Sequence, residues 1–295
     1  MSSSATRADD VVTSVEREFL RPWIRRPGPQ DHKYSRGVVT FHTGSSPYPG
    51  AALIGIQAAL ATGVGMIRYC GPEDVSRLVL SSFPEVVLAP GSTDASVLGS
   101  GMAEPLDVVD ASRVAEAVSG GGILVVDAGA LEKADQIPSP AILTPHHGEV
   151  VRLSHRFSDG RVTTDVEMAA KIASVLGHVV VAKGSHTSVV DRHGSLWALP
   201  VASPFLATAG TGDALAGIIG ALVAVWHERL HAQQDLLPEV AAAGALLHAR
   251  AAEEASRANG GGPFTIAGLC AGVSRVVGQI MGEQWPRSEG VSEQG

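Results

Sequence analysis

The chain has 295 residues, a net charge of −8, and hydrophobic and charged shares of 45% and 18%. That composition supports a sizeable core and excludes global disorder. The negative balance argues against nucleic acid as the main partner. Cys70 and Cys270 are the only cysteines, too few for a disulfide scaffold or a metal cluster, which fits a reducing, cytoplasmic setting. The longest apolar run, Ala214 to Trp226, is too short to span a bilayer. No apolar signal core opens the chain.

In chain order, residues 1–31 are polar with a Pro-rich end and read as a flexible segment on the domain surface. Val38–Thr43 reads as a first strand, 51–62 as a small-residue helix and 65–70 as a second strand. A helix over 72–80 follows, then a third strand over 85–89 that ends in the loop 90–94. Residues 108–118 are expected to be helical and 122–127 to form an apolar strand ending in Asp127. Residues 141–144 read as a short strand, with a helix starting at 148 and another over 165–176. Residues 178–182 form a strand followed by a hairpin arm over 187–199. Helices over 212–231, 239–257 and 264–281 close the domain, and 284–295 read as a disordered tail. Strands alternating with helices, several of them apolar at every position, predict an α/β fold with a mostly parallel sheet covered on both faces. Such sheets bind ligands beyond the carboxyl ends of their strands, so the loops after residues 43, 89, 127, 144 and 182 are the candidates.

The stretch from Ser203 to Gly220 carries the strongest chemical signal. Gly210 and Gly212 permit close backbone approach to a ligand, and Thr211 adds a hydroxyl. The helix that follows turns unpaired N–H groups toward the loop, which suits a phosphate. Asp213, in the first helical turn, is placed to take a proton from a substrate hydroxyl. The competing reading is a carboxylate that merely caps the helix, and the preceding glycines favour chemistry.

The loop Lys183-Gly184-Ser185-His186-Thr187 follows a buried strand and suits a nucleotide phosphate, or is a simple turn with a solvated lysine. Thr144-Pro-His-His-Gly-Glu149 puts His146 where it can orient a carboxamide or phosphate, or where it is only surface decoration. Gly91 lines a pocket or just turns the chain. Small residues at 49–52 let a flat ring lie against the backbone, or let the helix pack closely on the sheet. Asp127 either holds Mg²⁺ through water or caps the next helix. His227-Glu-Arg-Leu-His231 matches the zinc-protease pattern, but its position at the tail of a buried helix favours a solvated, dipole-stabilised pair.

Several blocks in fixed order make the chain resemble the NAD(P)H-hydrate dehydratases of the ribokinase-like superfamily, from about His32 to Met281. The blocks are 32–37, 48–52, 127–131, 143–149, Lys183-Gly184 with Thr187, and 210–213. The resemblance implies a ribokinase-like three-layer domain over 32–283 that repairs hydrated NADH or NADPH. ADP or ATP, with Mg²⁺, would phosphorylate the hydroxyl of the S-form hydrate, and phosphate would then leave. Ala51, Gly91, His146 and Asp213 are implied to contact the hydrated dinucleotide. Lys183 to Thr187 and Gly212 are implied to contact the nucleotide, with the Gly210, Thr211 and Gly212 amides stabilising the transferring phosphoryl group. Asp213 would be the base. A homo-oligomer, with a tetramer as one option, is implied as well. The alternatives are a small-molecule kinase of the same superfamily and a weakly catalytic dinucleotide-binding paralogue. The chain departs from the family pattern at His147, at Ala89-Pro90-Gly91 for Gly-Pro-Gly, at Ala209, and at Leu199 and Ser203.

Overall fold

The computed structural model describes residues 12–138, 140–157 and 164–284. Among the described residues nine strands form one sheet: β1 (Val12–Ser14), β2 (Val38–His42), β3 (Met66–Tyr69), β4 (Ala95–Leu98), β5 (Ile123–Val126), β6 (Ile142–Leu143), β7 (Val179–Ala182), β8 (Ser188–Val190) and β9 (Leu196–Ala198). Their order is β1-β9-β8-β7-β6-β5-β4-β2-β3. Only β8 runs antiparallel to its neighbours, β7 and β9. The expected mostly parallel α/β sheet is what the chain forms.

The helices are α1 (Gly50–Thr62), α2 (Glu73–Ser82), α3 (Val108–Ser119), α4 (His147–Phe157), α5 (Asp165–Leu176), α6 (Thr211–Val225), α7 (His227–Ala232), α8 (Leu237–Ala258) and α9 (Ile266–Gln284). Successive strand side chains point to opposite faces, and this divides the interior in two. Phe41, Val97, Val125 and Val181 pack with α1, α2, α6, α8 and α9. Leu98, Leu124, Val126 and Val180 pack with α3, α4 and α5. Local signals fix the helix ends. Thr164 and Glu167 form a reciprocal capping box at α5, and Gly63 ends α1 with φ of 99°.

Small residues bring helices close together rather than leaving a face bare. A Cβ on Gly217 would lie 2.2 Å from the Gly55 carbonyl oxygen, so α1 and α6 touch backbone to backbone. Gly244 meets Ile219, and Gly272 meets Ala251. The small-residue surfaces of α8 and α9 therefore serve internal packing at these positions.

Three expectations need correction. Residues 12–24 are built into the fold, not loose on it: β1 pairs with β9, and Leu20 and Trp23 are fully buried. Trp226 Nε1 donates to the Trp23 carbonyl at 2.8 Å, and Arg229 sits 4.6 Å over the Trp23 ring. Polar composition hid these few apolar anchors. Residues 85–89 form only a single bridge, Val87 with Arg68; the strand is β4, ten residues later. The helix expected over 212–231 breaks at Trp226, between α6 and α7. Residues 1–11 and 285–295, expected as tails, lie outside the described residues.

Gly217→Ala should lower the unfolding free energy by about 1–3 kcal/mol through overpacking against α1. Gly278→Ala, on the exposed side of α9 with nothing near its Cβ position, should raise it by about 0.5–1 kcal/mol. Urea denaturation of the two variants checks both signs.

Candidate active site

Five neighbouring strands, β2, β4, β5, β6 and β7, deliver their carboxyl ends to one place, and the backbone ladder continues past them. Gly44 N donates to Ser100 O at 2.7 Å, Asp127 N to Leu98 O at 2.9 Å, and Lys183 N to Pro145 O at 2.8 Å. The amino end of α6 reaches the same place from one face. A Cβ on Gly212 would lie 3.4 Å from Lys183 Nζ.

The centre of the cluster is Asp127, 2% exposed. Its Oδ1 accepts from Lys183 Nζ at 2.6 Å and Thr144 Oγ1 at 2.8 Å, and its Oδ2 from Ser100 Oγ at 2.9 Å. Burial alone would raise its pKa, but the Lys183 charge and these three hydrogen bonds hold it below the usual carboxylate range. Burial likewise opposes the Lys183 ammonium, yet Asp127, Glu149 and Asp213 keep its pKa raised. The turn after Asp127 forces Ala128 to φ of 44°, a left-handed conformation that costs a non-glycine residue about 1–2 kcal/mol.

Asp213 lies beside this pair. Burial and the Asp127 charge raise its pKa to about 6, against the lowering effects of the Lys183 charge and the nearby Ser100 hydroxyl. A carboxyl group poised there is ionised at neutral pH and still basic enough to accept a hydroxyl proton. Gly210, at φ of 96°, makes the turn that presents it; a Cβ there would be strained and 2.7 Å from Ile54 Cδ1.

The other expected residues divide. Lys183 turns inward to Asp127, while Gly184, Ser185 and His186 stay exposed as a rim, pinned by the Thr187 hydroxyl donating to Gly184 O at 3.1 Å. The Thr211 hydroxyl turns back to the Leu206 and Thr208 carbonyls at 2.8 and 2.9 Å, so its side chain is engaged locally; only its backbone belongs to the turn. Ala51 abuts the β4 loop, where a Cβ on Gly101 would lie 2.6 Å from Ala51 Cβ. His146 caps α4: its Nδ1 accepts from Glu149 N at 3.2 Å, and Glu149 Oε2 accepts from His146 N at 2.7 Å. The imidazole is 57% exposed. His147 faces away, with Nδ1 2.8 Å from Asp165.

Gly91 is misplaced as a site residue. It precedes β4 and therefore lies at the amino end of the sheet, packed against the Arg68 guanidinium. The loop at the carboxyl end is Gly99-Ser100-Gly101. It was missed because β4 was missed; the cue was the apolar run Ala95–Leu98 leading into alternating glycines. Ser100 and His248 also escaped notice, and Thr144 and Glu149 were named within a motif without a role of their own. His248, buried on α8, lies under the 208–212 turn, near the Thr211 backbone. Among the described residues no group of three or more His, Cys, Asp or Glu is arranged to hold a metal. His227 sits 3.6 Å from Asp94, with its Nδ1 2.9 Å from the Ala224 carbonyl oxygen, so that imidazole is engaged by its own surroundings. A cleft of about 280 Å³ lined by Gly122, Ile123, Pro140 and Leu230 opens at the amino end of β5, away from this chemistry.

A sequence profile of the NAD(P)H-hydrate dehydratases matches residues 39–266. The chain belongs to this family. A bifunctional NAD(P)H-hydrate repair enzyme of Mycobacterium tuberculosis is 37% identical over 212 residues, covering 67% of this chain and 43% of that protein. The chain thus spans about half the length of the curated relatives it matches. The ADP/ATP-dependent NAD(P)H-hydrate dehydratase of Bacillus subtilis, crystallised with ATP and Mg²⁺, superposes with a TM-score of 0.78 at 25% identity, covering 92% of this chain and all of that one (100%). A ribokinase-like superfamily protein of Enterococcus faecalis shares the fold at a TM-score of 0.76 and 19% identity, over 94% of this chain and 99% of that one. The family's three-layer ribokinase-like architecture is the one described above.

Lys183→Met should destabilise the protein by about 3–5 kcal/mol, because Asp127 is left buried without its cation. Loss of the same charge should move the Asp213 titration above about 6. Urea denaturation and carboxyl titration by NMR measure the two effects.

Proposed function

We propose that this chain dehydrates the S-form of hydrated NADH or NADPH back to the reduced dinucleotide, with ADP or ATP as phosphoryl donor. The observation that carries this reading is Asp213, with a pKa raised to about 6, in the first turn of α6 beside the Lys183 ammonium. In the first step Asp213 accepts the proton of the hydrate hydroxyl, and that oxygen bonds to the terminal phosphorus of the nucleotide as the bond from that phosphorus to the departing AMP (from ADP) or ADP (from ATP) breaks. Lys183 and the amides of the 210–212 turn offset the charge on the transferring group. In the second step the carbon–oxygen bond breaks and phosphate leaves with the electron pair. The neighbouring C–H proton is lost, and the ring double bond returns.

Asp127 engages both carboxylate oxygens with Ser100, Thr144 and Lys183, so it offers no direct cation ligand, and at 2% exposure it has little contact with solvent. The described residues thus do not build a Mg²⁺ site of their own; the ion would arrive coordinated by the nucleotide phosphates. The exposed rim at 184–186, with Thr187, suits the nucleotide, and Ala51 with His146 suits the hydrated dinucleotide. Among the described residues no helix is long and apolar enough to cross a membrane, and both cysteines are free thiols, in keeping with a cytoplasmic enzyme. Assembly into a homo-oligomer belongs to the same proposal.

Purified protein with Mg²⁺ and either nucleotide should restore the reduced-nicotinamide absorbance from hydrated NADH. Asp213→Asn should lower kcat about 10²–10⁴-fold. The base works only when ionised, so kcat/KM should rise with pH through a midpoint near 6 and level off above it. A stable phosphorylated product without recovery of absorbance would instead identify a kinase.

A further inference from the structure

The loop that leaves β2 and leads to Ala51, at the start of α1, is gripped on one side by a single side chain. Arg113, in the second turn of α3, is 7% exposed, and its acid partner Asp110 is 6% exposed. Arg113 Nη1 donates to the Gly44 carbonyl at 2.8 Å and to Asp110 Oδ1 at 2.7 Å, and its Nη2 donates to the Thr43 carbonyl at 2.8 Å. The Tyr69 hydroxyl donates to the same Thr43 oxygen at 2.9 Å. A trans peptide sets its N–H opposite its C=O. With the Thr43 carbonyl turned to Arg113, the Gly44 N–H faces the other way, and it donates to Ser100 O at 2.7 Å. Ser45 Oγ donates to Gly101 O at 2.6 Å. The base of the loop is thus fixed between α3 and the 99–101 turn, while residues 46–48 at its tip stay exposed.

We propose that Arg113 is a positioning residue for the dinucleotide face of the site: its guanidinium, balanced by Asp110, clamps the Thr43 and Gly44 carbonyls and so sets the loop 44–50 and Ala51 for the hydrated dinucleotide. The inference rests on the proposed placement of that ligand against Ala51. Three oxygens, two from carbonyls and one from a carboxylate, meet this guanidinium. A guanidinium offers its donors in a fixed plane, whereas an ammonium is a point charge on a flexible stem and fixes no such plane. Asp110 offsets the cost of burying the cation, and Asp110 is itself held, because Asp107 Oδ1 accepts from its N–H at 2.8 Å where α3 begins. The parts assigned to the nucleotide, 184–187 and 210–212, come from the ends of β7 and α6 rather than from β2 or α3. Loss of the clamp should therefore act on one ligand and spare the other.

The test compares Arg113→Lys and the double variant Asp110→Asn/Arg113→Met with the parent protein, each first shown to be folded by its thermal transition. The lysine keeps a cation beside Asp110, and the double variant leaves no buried charge unpaired. NADPH binding is followed by its fluorescence and ADP binding by calorimetry. Both variants should weaken NADPH binding about tenfold and raise KM for hydrated NADPH to match, with kcat, ADP binding and KM for the nucleotide within about twofold of the parent. Amide hydrogen exchange should quicken at 44–50 and stay unchanged at 184–187. Parent-like NADPH binding in either variant, or an equal loss of NADPH and ADP binding, would overturn the proposal. If the parent protein repairs no hydrate, NADPH binding and amide exchange still decide for or against Arg113, so failure of the repair reading is distinguishable from failure of this one.

Discussion

A buried ion pair, Lys183 with Asp127, governs this end of the molecule. Removing each ion from water costs several kcal/mol, and the cost is offset only because Ser100 and Thr144 complete the carboxylate's hydrogen bonds. Those partners come from three different strand ends, β4, β6 and β7, with Asp127 on β5 among them. The sheet order places these four strands side by side. The parallel topology and the pair therefore depend on each other: a shift of any one strand would strand a charge.

The pair also sets the electrostatics of its neighbour. Burial and Asp127 push the Asp213 pKa up and Lys183 pulls it down, and the balance leaves a carboxyl group that ionises just below neutral pH. The position of Asp213 is in turn a packing result. Gly55 and Gly217 let α1 and α6 approach backbone to backbone, and Gly210 turns the chain into α6 over the strand ends. A strained Ala128 beside Asp127 fits a site held by its surroundings.

Much of the architecture could be read from the sequence, because buried parallel strands are continuous apolar runs and Gly210-Thr-Gly-Asp213 is compact. The failures have physical causes. β4 is only four residues long, and Ser96 breaks its apolar pattern, so the preceding run at 85–89 looked like the better strand. That one error moved the glycine turn from 99–101 to Gly91 and hid Ser100. The inward course of Lys183 depends on Asp127, 56 residues away, which local spacing does not encode. The anchoring of 12–24 depends on Trp226, 203 residues from Trp23. His146 looked like a ligand-orienting side chain, and its capping bond to Glu149 emerges only from the geometry of α4.

In the proposed reaction the hydrate's own hydroxyl oxygen is phosphorylated before it leaves. Hydrated NADH carrying ¹⁸O in that hydroxyl, turned over with ATP or ADP, tests it directly by mass analysis of the phosphate released. The account predicts one labelled oxygen in each inorganic phosphate and one NADH recovered for each nucleotide consumed. Unlabelled phosphate, with the ¹⁸O found in water, would contradict it.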